Sequence, residues 1–412
     1  MRNLFRPIAS AALILALTAC AQPLPRATPE SVGLESAPLR EATALLNQYV
    51  ADNKIAGAVA AISRRGKLVY LETVGVQDLA SRAPMTERSL FRIYSMTRAI
   101  TSVAVMMLYE EQRFKLDDPV SKFIPQFAHV KVALPDGTTR APTRPITVAD
   151  LMLHTSGLSP RTAEIYRREK VRAREFTMDQ VIANLIRVPL MEDPGTRFRY
   201  SESNTVLGRL VEIWSGQPFE VFLAERVFQP LGMVDTRFWT ETDEQRARLA
   251  TVYTPAPNGS LTPIELETIP FTQRPALIEG TVGLLSTVPD YLRFSQFLLN
   301  KGELADVRLL RAETVELMTK NGLSPAVQQA RGGEMGWGLA NVNVRLPPGA
   351  ADGSNVGEYG WDGTAGTIFW VDPRNETVVV LMTQSSPADP DGLRAKFKAL
   401  VQRALRLISR HG

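Results

Sequence analysis

Two pairs of short β-favouring runs, rich in apolar residues, occur in the chain, one pair near each end. Residues 56–76, "AGAVAAISRRGKLVYLETVGV", place two β-favouring runs around "RRGK", and residues 366–384, "GTIFWVDPRNETVVVLMTQ", repeat the pattern with "DPRN" as the turn. An isolated hairpin is only marginally stable in water and needs further strands or a helix. We therefore expect both hairpins to join one antiparallel sheet.

The apolar spacing changes to a helical period on either side of these hairpins. Residues 38–53 and the amphipathic stretch 391–408 both have this period, and the second is expected to cover a face of the sheet. The long segment between the hairpins reads mainly as helices and loops. The sequence thus predicts an α/β fold: an antiparallel sheet flanked by helices and built from residues 37–93 and 335–412, with a mostly helical part, 94–334, inserted.

The start of the chain is predicted to be an export signal. Arg2 and Arg6 precede an apolar stretch that is too short to span a bilayer as an ordinary helix and ends in "LTAC". Cys20 is the only cysteine of the 412 residues and lies where a bacterial lipoprotein would carry its lipid. We expect a lipoprotein signal peptide over 1–19 and a Pro-rich tether over 20–36; the alternative is an ordinary secretory signal with a chance cysteine.

These features predict a protein held at the membrane of the bacterial cell envelope by a lipid on Cys20. A single cysteine cannot form an internal disulfide in an exported chain. No later run is long and apolar enough to span a membrane. The net charge of +4 comes from scattered Lys and Arg with no basic stripe, so no nucleic-acid partner is expected.

Ser95 begins the most apolar helical stretch of the chain. Ile100, Val103 and Met107 have the spacing of a buried helix, and Ser95 falls at or near its N-terminus, where the helix dipole favours developing negative charge. Arg98, three residues on, would share a helix face with the Ser95 hydroxyl. From this fragment alone, Ser95 could equally be a helix N-cap.

Other hydrolytic chemistries find little support in the sequence. A Ser-His-Asp site needs a base histidine, and only His129, His154 and His411 exist; no G-x-S-x-G elbow occurs. His154 is expected to hold a loop through hydrogen bonds. There is no H-E-x-x-H and no ligand spacing among the histidines, so neither a metal nor another cofactor is expected.

Seven segments in register resemble one known group of proteins. Together they closely resemble the serine β-lactamase-like superfamily, which comprises class C β-lactamases, D-alanyl-D-alanine carboxypeptidases and related esterases. The segments are "FRIYSMTRAIT", "LDDPVSKFIPQF", "ITVADLMLHTSGL", "PGTRFRYSESNTVLGRLVEIWSG", "PLGMVDTRF", "GLLSTVPDYLRFSQFLLN" and "YGWDGTAGTIFWVDP". The resemblance runs from about residue 35 to the C-terminus and leaves the substrate open, because one fold hosts several chemistries.

The resemblance implies a role for each motif residue. Ser95 would be the nucleophile that forms an acyl-enzyme, and Tyr200 the general base and acid. The family's third motif falls on Trp361, Asp362 and Gly363. Its oxyanion hole would consist of the backbone N–H groups of Ser95 and Thr364.

Two of the three motifs depart from the family where proton transfer takes place. S-x-x-R replaces S-x-x-K, and a guanidinium cannot accept the proton; Arg98 can instead favour the charged form of the Tyr200 phenol. Y-S-E replaces Y-x-N, and Glu202 is expected to pair with Arg98. The alternatives are that Glu202 turns outward or serves as the base itself.

The third motif, W-D-G, bears on the substrate. Trp361 would supply an apolar wall, or simply pack in the core, and Asp362 an anionic side chain unless strand alternation points it away. Neither suits the carboxylate of a β-lactam, so a neutral ester or amide is favoured. We therefore expect a cell-envelope serine hydrolase, more esterase than β-lactamase. The alternative is a catalytically silent protein that binds peptidoglycan-derived peptides.

Overall fold

The computed structural model describes residues 23–347 and 353–405. The predicted signal peptide, 1–19, and the predicted lipid anchor, Cys20, lie outside these residues. None of the helices within the described ranges has the length and apolar character needed to cross a membrane.

The centre of the fold is an eight-stranded antiparallel sheet in the order β12-β13-β14-β15-β16-β1-β2-β3. Shorter two-stranded pieces pair β4 with β9, β5 with β6, β7 with β8, and β10 with β11. The strands are β1 Gly57–Arg64, β2 Lys67–Asp78, β3 Ala83–Pro84, β4 Phe91–Arg92, β5 Val132–Ala133, β6 Thr139–Arg140, β7 Tyr253–Pro255, β8 Leu261–Pro263, β9 Leu285–Ser286, β10 Glu303–Leu304, β11 Val307–Arg308, β12 Met335–Gly338, β13 Val342–Arg345, β14 Tyr359–Gly363, β15 Thr367–Asp372 and β16 Thr377–Met382.

The two predicted hairpins meet in the middle of this sheet, as expected. β1 pairs with β2 on one side and with β16 on the other, with Val59 opposite Met382 and Arg64 opposite Thr377. Every residue of β1 and β16 is buried, because the sheet is covered on both faces. The α/β architecture built from the N- and C-terminal segments is confirmed.

The helices divide between the two faces of the sheet. α1 and α13 pack against each other on one face, while α10 and α2 contribute to the apolar core on the other. The helices are α1 Ser36–Ala51, α2 Thr97–Glu110, α3 Val148–Met152, α4 Glu164–Arg168, α5 Met178–Arg187, α6 Ser203–Ser215, α7 Phe219–Leu223, α8 Gln229–Leu231, α9 Asp243–Ala247, α10 Val288–Leu299, α11 Ala312–Thr319, α12 Pro325–Ala330 and α13 Leu393–Leu405.

The predicted tether, 20–36, needs correction over its described part. Arg26 forms a β-bridge with Leu68, and Leu34 is 1% exposed. The Arg64 guanidinium donates to the carbonyl oxygen of Gly33 at 2.7 Å. The packed domain therefore begins near residue 26, because apolar residues of this segment are buried beside α1 and the sheet rather than left in a free linker.

Candidate active site

Ser95 lies in a 3₁₀ turn, Tyr94–Met96, that leads directly into α2. Tyr94 has a φ of +40°, a left-handed conformation that non-glycine residues adopt rarely and often beside functional groups. The N-cap of α2 is Met96, and the Ser95 hydroxyl makes no hydrogen bond to another described residue. The interpretation of Ser95 as a helix N-cap is therefore wrong, and its hydroxyl is available for other chemistry.

The end of β14 lies against the segment that precedes Ser95. A Cβ on Gly363 would come within 2.5 Å of the Ile93 carbonyl oxygen, so only glycine allows this approach. Thr364 follows Gly363 and is exposed. Tyr94 and Ala365 pack in one small apolar cluster, so the chain neighbours of both predicted oxyanion donors, Ser95 and Thr364, are held together.

Arg98 lies beneath the Tyr200 ring. The guanidinium carbon is 4.1 Å from the ring centroid, a cation–π distance. Arg98 is 2% exposed and its Nη1 donates to the Ser201 carbonyl oxygen at 2.9 Å and to Asn204 Oδ1 at 3.0 Å. Burial lowers the pKa of Arg98 from its ordinary value, but a guanidinium keeps its charge in proteins.

Trp361 contacts the same phenol from the other side of the cleft. Its indole Nε1 donates to the Tyr200 hydroxyl oxygen at 2.9 Å, and its ring also lies edge-on to the buried Trp337, with ring centroids 4.7 Å apart. Trp361 is thus partly a packing residue and partly a hydrogen-bond donor. Residues of the first and third motifs, Arg98 and Trp361, thus both contact Tyr200.

His154 holds the loop that carries Tyr200, as the sequence predicts. Its Nδ1 accepts a hydrogen bond from the Ser201 N–H at 3.3 Å, and its ring lies 4.7 Å from that of Tyr200. Burial and the nearby charge of Arg98 hold the pKa of His154 well below its usual 6.5. The imidazole is therefore neutral at physiological pH and has a structural task.

Asp362 points away from the cleft, because side chains alternate along a strand. Its carboxylate accepts a hydrogen bond from Arg394 of α13, and Arg394 also donates to the Gly363 carbonyl oxygen at 3.0 Å. Strand alternation therefore keeps the negative charge of Asp362 out of the cleft.

Glu202 does not form the predicted pair with Arg98. Its carboxylate is held instead by Arg161 Nε and Nη2, the latter at 3.1 Å, and accepts from the Thr205 hydroxyl at 2.9 Å. The outward-turned alternative is also wrong, because Glu202 is 0% exposed. Burial opposes ionisation of Glu202, but the Arg161 charge outweighs it and lowers the pKa of Glu202 to about 2. A carboxylate so firmly ionised and occupied is a poor general base.

Sequence reasoning missed three residues that shape this site. Asn204 takes one side of Arg98, Arg161 takes Glu202, and Glu279 accepts from Arg161 Nη2 at 3.3 Å. Asn204 could have been noticed, since it lies only four residues beyond Tyr200, in the first turn of α6. Arg161 and Glu279 belong to loops with no motif spacing that would link them to Glu202.

Comparison with known proteins settles the family. The beta-lactamase family model matches residues 42–403, most of the chain. The chain belongs to the beta-lactamase family. The resemblance drawn from the seven segments is thereby confirmed, and with it the relationship to esterases and to D-alanyl-D-alanine carboxypeptidases.

Relatives in this family cover nearly the whole chain. Protein Rv1367c of Mycobacterium tuberculosis (strain H37Rv) is 32% identical over 81% of this chain and 86% of its own length. Esterase EstB of Burkholderia gladioli is 28% identical over 87% of this chain and 93% of its own length. The solved structure of EstCE1, a hydrolase with promiscuous acyltransferase activity, superposes with a TM-score of 0.75 at 26% identity, covering 90% of this chain and 98% of EstCE1. The chain is accordingly a beta-lactamase family protein of serine hydrolase type.

Proposed function

We propose that this chain is a cell-envelope serine hydrolase that cleaves a small ester, or less readily an amide, through an acyl-Ser95 intermediate. One observation carries the proposal: residues of the first and third motifs, Arg98 and Trp361, flank the phenol of the second motif, Tyr200. Arg98 lies 4.1 Å from the centroid of the Tyr200 ring, and Trp361 donates to its hydroxyl oxygen at 2.9 Å. A cation and an N–H donor beside a phenol both favour negative charge on its oxygen.

The proposed reaction uses Tyr200 as the only proton carrier. Ser95 Oγ attacks the ester carbonyl carbon while the Tyr200 phenolate takes the hydroxyl proton. The oxyanion binds the N–H groups of Ser95 and Thr364, the bond to the leaving alcohol breaks, and that alcohol takes its proton from Tyr200. Water then attacks the acyl-serine, Tyr200 again receives the proton, and the acid leaves as Ser95 is reprotonated.

The other titratable groups near Ser95 are committed elsewhere. Arg98 keeps its proton, and Glu202 is bound by Arg161 and Thr205. His154 accepts the Ser201 N–H through Nδ1 and is buried. Tyr200 is partly exposed and so can contact a substrate in the cleft.

The substrate class follows from what the third motif offers. Trp361 presents an aromatic surface, and Asp362 is engaged by Arg394 on the opposite face of the sheet. The third motif therefore offers no positively charged side chain to bind a carboxylate, which supports a neutral substrate. The relatives point the same way, since EstB is an esterase and EstCE1 a hydrolase with acyltransferase activity. The signal-like residues 1–19 and Cys20 support a location in the cell envelope.

Intact-mass labelling tests the proposal. A fluorophosphonate probe should add one adduct to the wild type and none to Ser95→Ala, and this variant should lose at least about 10³-fold in turnover of a short-chain nitrophenyl ester while staying folded. Ser295→Ala is the matched control, because the Ser295 hydroxyl is buried and donates only within α10, to the Tyr291 carbonyl oxygen at 2.9 Å. It should be labelled like the wild type.

The same experiment also tests the alternative of a catalytically silent binding protein. If folded wild-type protein takes no adduct from a fluorophosphonate or from penicillin, and hydrolyses no ester, the acyl-serine mechanism is refuted. A protein that binds peptidoglycan-derived peptides without turning them over would give that result.

A further inference from the structure

Two arginines beside the site, the buried Arg98 and the partly exposed Arg161, have contrasting partners. Arg98 donates only to neutral acceptors, the Ser201 carbonyl oxygen and the Asn204 amide oxygen. Arg161 is bound between two carboxylates, those of Glu202 and Glu279. Glu202 is thus paired with the cation on the 158–163 loop rather than with the one on α2.

Glu202 nevertheless lies within electrostatic reach of both guanidinium groups. The charges of Arg161 and, more weakly, Arg98 both favour its ionised form, and the charge of Glu202 acts on Arg98 in return. A fully buried carboxylate needs a partner, because leaving it unpaired costs several kcal/mol. The two-point contact with Arg161 therefore decides where the negative charge of Glu202 is placed.

Within the described part of this network, two cations, Arg98 and Arg174, have no carboxylate partner. Arg172 bridges Glu279 and Glu267, with Arg172 Nη1 at 2.8 Å from Glu267 Oε2. Arg174 stacks on the Phe271 ring at 3.9 Å. Arg161 and Arg172 pair with the carboxylates of Glu202 and its neighbours. Each carboxylate of this network therefore has an arginine partner, and in no case is it Arg98.

We propose that Arg161 is a positioning residue that holds the Glu202 carboxylate away from Arg98, so that no direct ion pair weakens the action of the Arg98 charge on the Tyr200 phenol. This inference rests on the proposed function, in which Tyr200 is the base. Without Arg161, Arg98 would be the cation that acts most strongly on Glu202. A direct Arg98–Glu202 pair would neutralise the guanidinium and weaken its support of the phenolate.

The other charged groups around Tyr200 do not reproduce this effect. His154 contacts the ring but stays neutral, and Asp362 faces Arg394 across the sheet. Glu279 is shared by Arg161 and Arg172. Arg331 lies behind Phe198, 4.3 Å from its ring centroid, and bonds the carbonyl oxygens of Met335 and Gly336.

The test compares pH profiles of ester hydrolysis in single and double variants, with rates expressed per fluorophosphonate-reactive site. In Arg161→Gln, the rising limb of kcat/KM should move to higher pH by about one unit, which lowers kcat/KM at pH 7 about tenfold. In Arg161→Gln with Glu202→Gln, the carboxylate is gone and the limb should return to within about 0.3 unit of the wild type. Arg161→Lys keeps the charge and should shift the limb less than Arg161→Gln.

Arg144→Gln provides the matched control. Arg144 binds the buried Asp150 at two points, 2.6 and 2.9 Å, in another part of the helical region. Losing that pair should lower stability without moving the limb. If Arg161→Gln yields too little folded protein, the double variant and Arg161→Lys still report, since removing both members of a buried pair is far milder than removing one.

The outcomes separate this inference from the proposed function. A wild type that is neither labelled nor active refutes the function itself. An active wild type with an unmoved limb in Arg161→Gln, or a double variant as impaired as the single one, overturns the positioning role and leaves the acyl-serine mechanism standing. A merely structural Arg161 would lower the amount of labelled enzyme without shifting the limb.

Discussion

Two regions of the molecule are stabilised by different interactions: the sheet face covered by α1 and α13, called the sheet half below, and the cleft around Tyr200. On one face of the sheet, α1 and α13 bury a continuous apolar cluster that includes Leu46, Ile62, Trp370 and Phe397. Around the cleft, by contrast, partly buried arginines pair with buried glutamates, and the buried Arg98 lies on an aromatic ring. The sheet half gains its stability by excluding water, whereas the cleft keeps charges where water is largely excluded.

This difference explains why the motif residues have to be considered together. In the sheet half, a substitution acts mainly through the volume that it fills. In the cleft, Arg98 and Glu202 are each held by a further residue, Arg98 by the Asn204 amide and Glu202 by the Arg161 guanidinium. The comparison therefore predicts that cleft variants change rates and sheet variants change stability.

The largest expected effect is that of Tyr200→Phe. Its absence would contradict the expectation that cleft variants change rates. The variant keeps the ring on Arg98 and beside His154, and it removes only the hydroxyl that accepts from Trp361. Loss of the general base should lower kcat/KM for a nitrophenyl ester by about 10²–10⁴-fold with little change in the free energy of unfolding. Steady-state kinetics and urea unfolding measure the two quantities.

Tyr109→Phe is the control for Tyr200→Phe. Tyr109 lies near the far end of α2 and is partly exposed. Its variant should keep the wild-type rate. Full activity in Tyr200→Phe would remove the phenol from the mechanism and force a different base to be sought.

The next effect, on the sheet half, is that of Phe397→Ala. Phe397 is 0% exposed on α13 and its ring centroid lies 6.3 Å from that of Tyr70. The cavity should lower the free energy of unfolding by about 3–5 kcal/mol, while kcat per labelled Ser95 stays unchanged. Leu400→Ala, on the same helix but only partly buried, should cost clearly less. A loss of kcat comparable to that of Tyr200→Phe would show that the two halves are not separable.

The sheet half is also the part that the sequence predicts well. The β-favouring runs in residues 56–76 and 366–384 and the helical period of 38–53 and 391–408 are local signals, and they correspond to β1, β2, β15, β16, α1 and α13. The early packing of residues 26–36 was missed because a short, Pro-rich segment has no period from which its burial could be read.

The cleft was predictable only as far as its motifs reach. Arg98 and Trp361 both contact Tyr200, whereas the role of Ser95 as the nucleophile stays a prediction. The partner of Glu202 was not predictable, since Arg161 is 41 residues away in sequence and nothing in its own segment marks it. A buried charge chooses its partner through the tertiary fold, so spacing along the chain gives no information on it.

The smallest expected effect concerns Asp290. Like Glu202 it is a buried carboxylate, but its pKa is shifted in the opposite direction. Its Oδ2 accepts from the Asp235 N–H and the Thr236 hydroxyl, each at 2.8 Å, yet burial dominates and raises the pKa of Asp290 from 3.8 to about 6. The folded state therefore holds this proton to a higher pH than the unfolded chain does. Its contribution to stability is complete below about pH 4 and is lost as the pH rises through about 6.

Asp290→Asn should remove that dependence, because the amide oxygen can still accept from Thr236 and does not titrate. The free energy of unfolding of the wild type, taken relative to the variant, should fall by about 2–3 kcal/mol between pH 4 and pH 7. Urea titrations at several pH values measure it. Parallel curves for the two proteins would mean that Asp290 ionises as freely in the folded state as in the unfolded chain. Burial alone would then have failed to perturb a carboxylate in this fold. The arginine bound to Glu202 could therefore no longer explain why Glu202 and Asp290 differ.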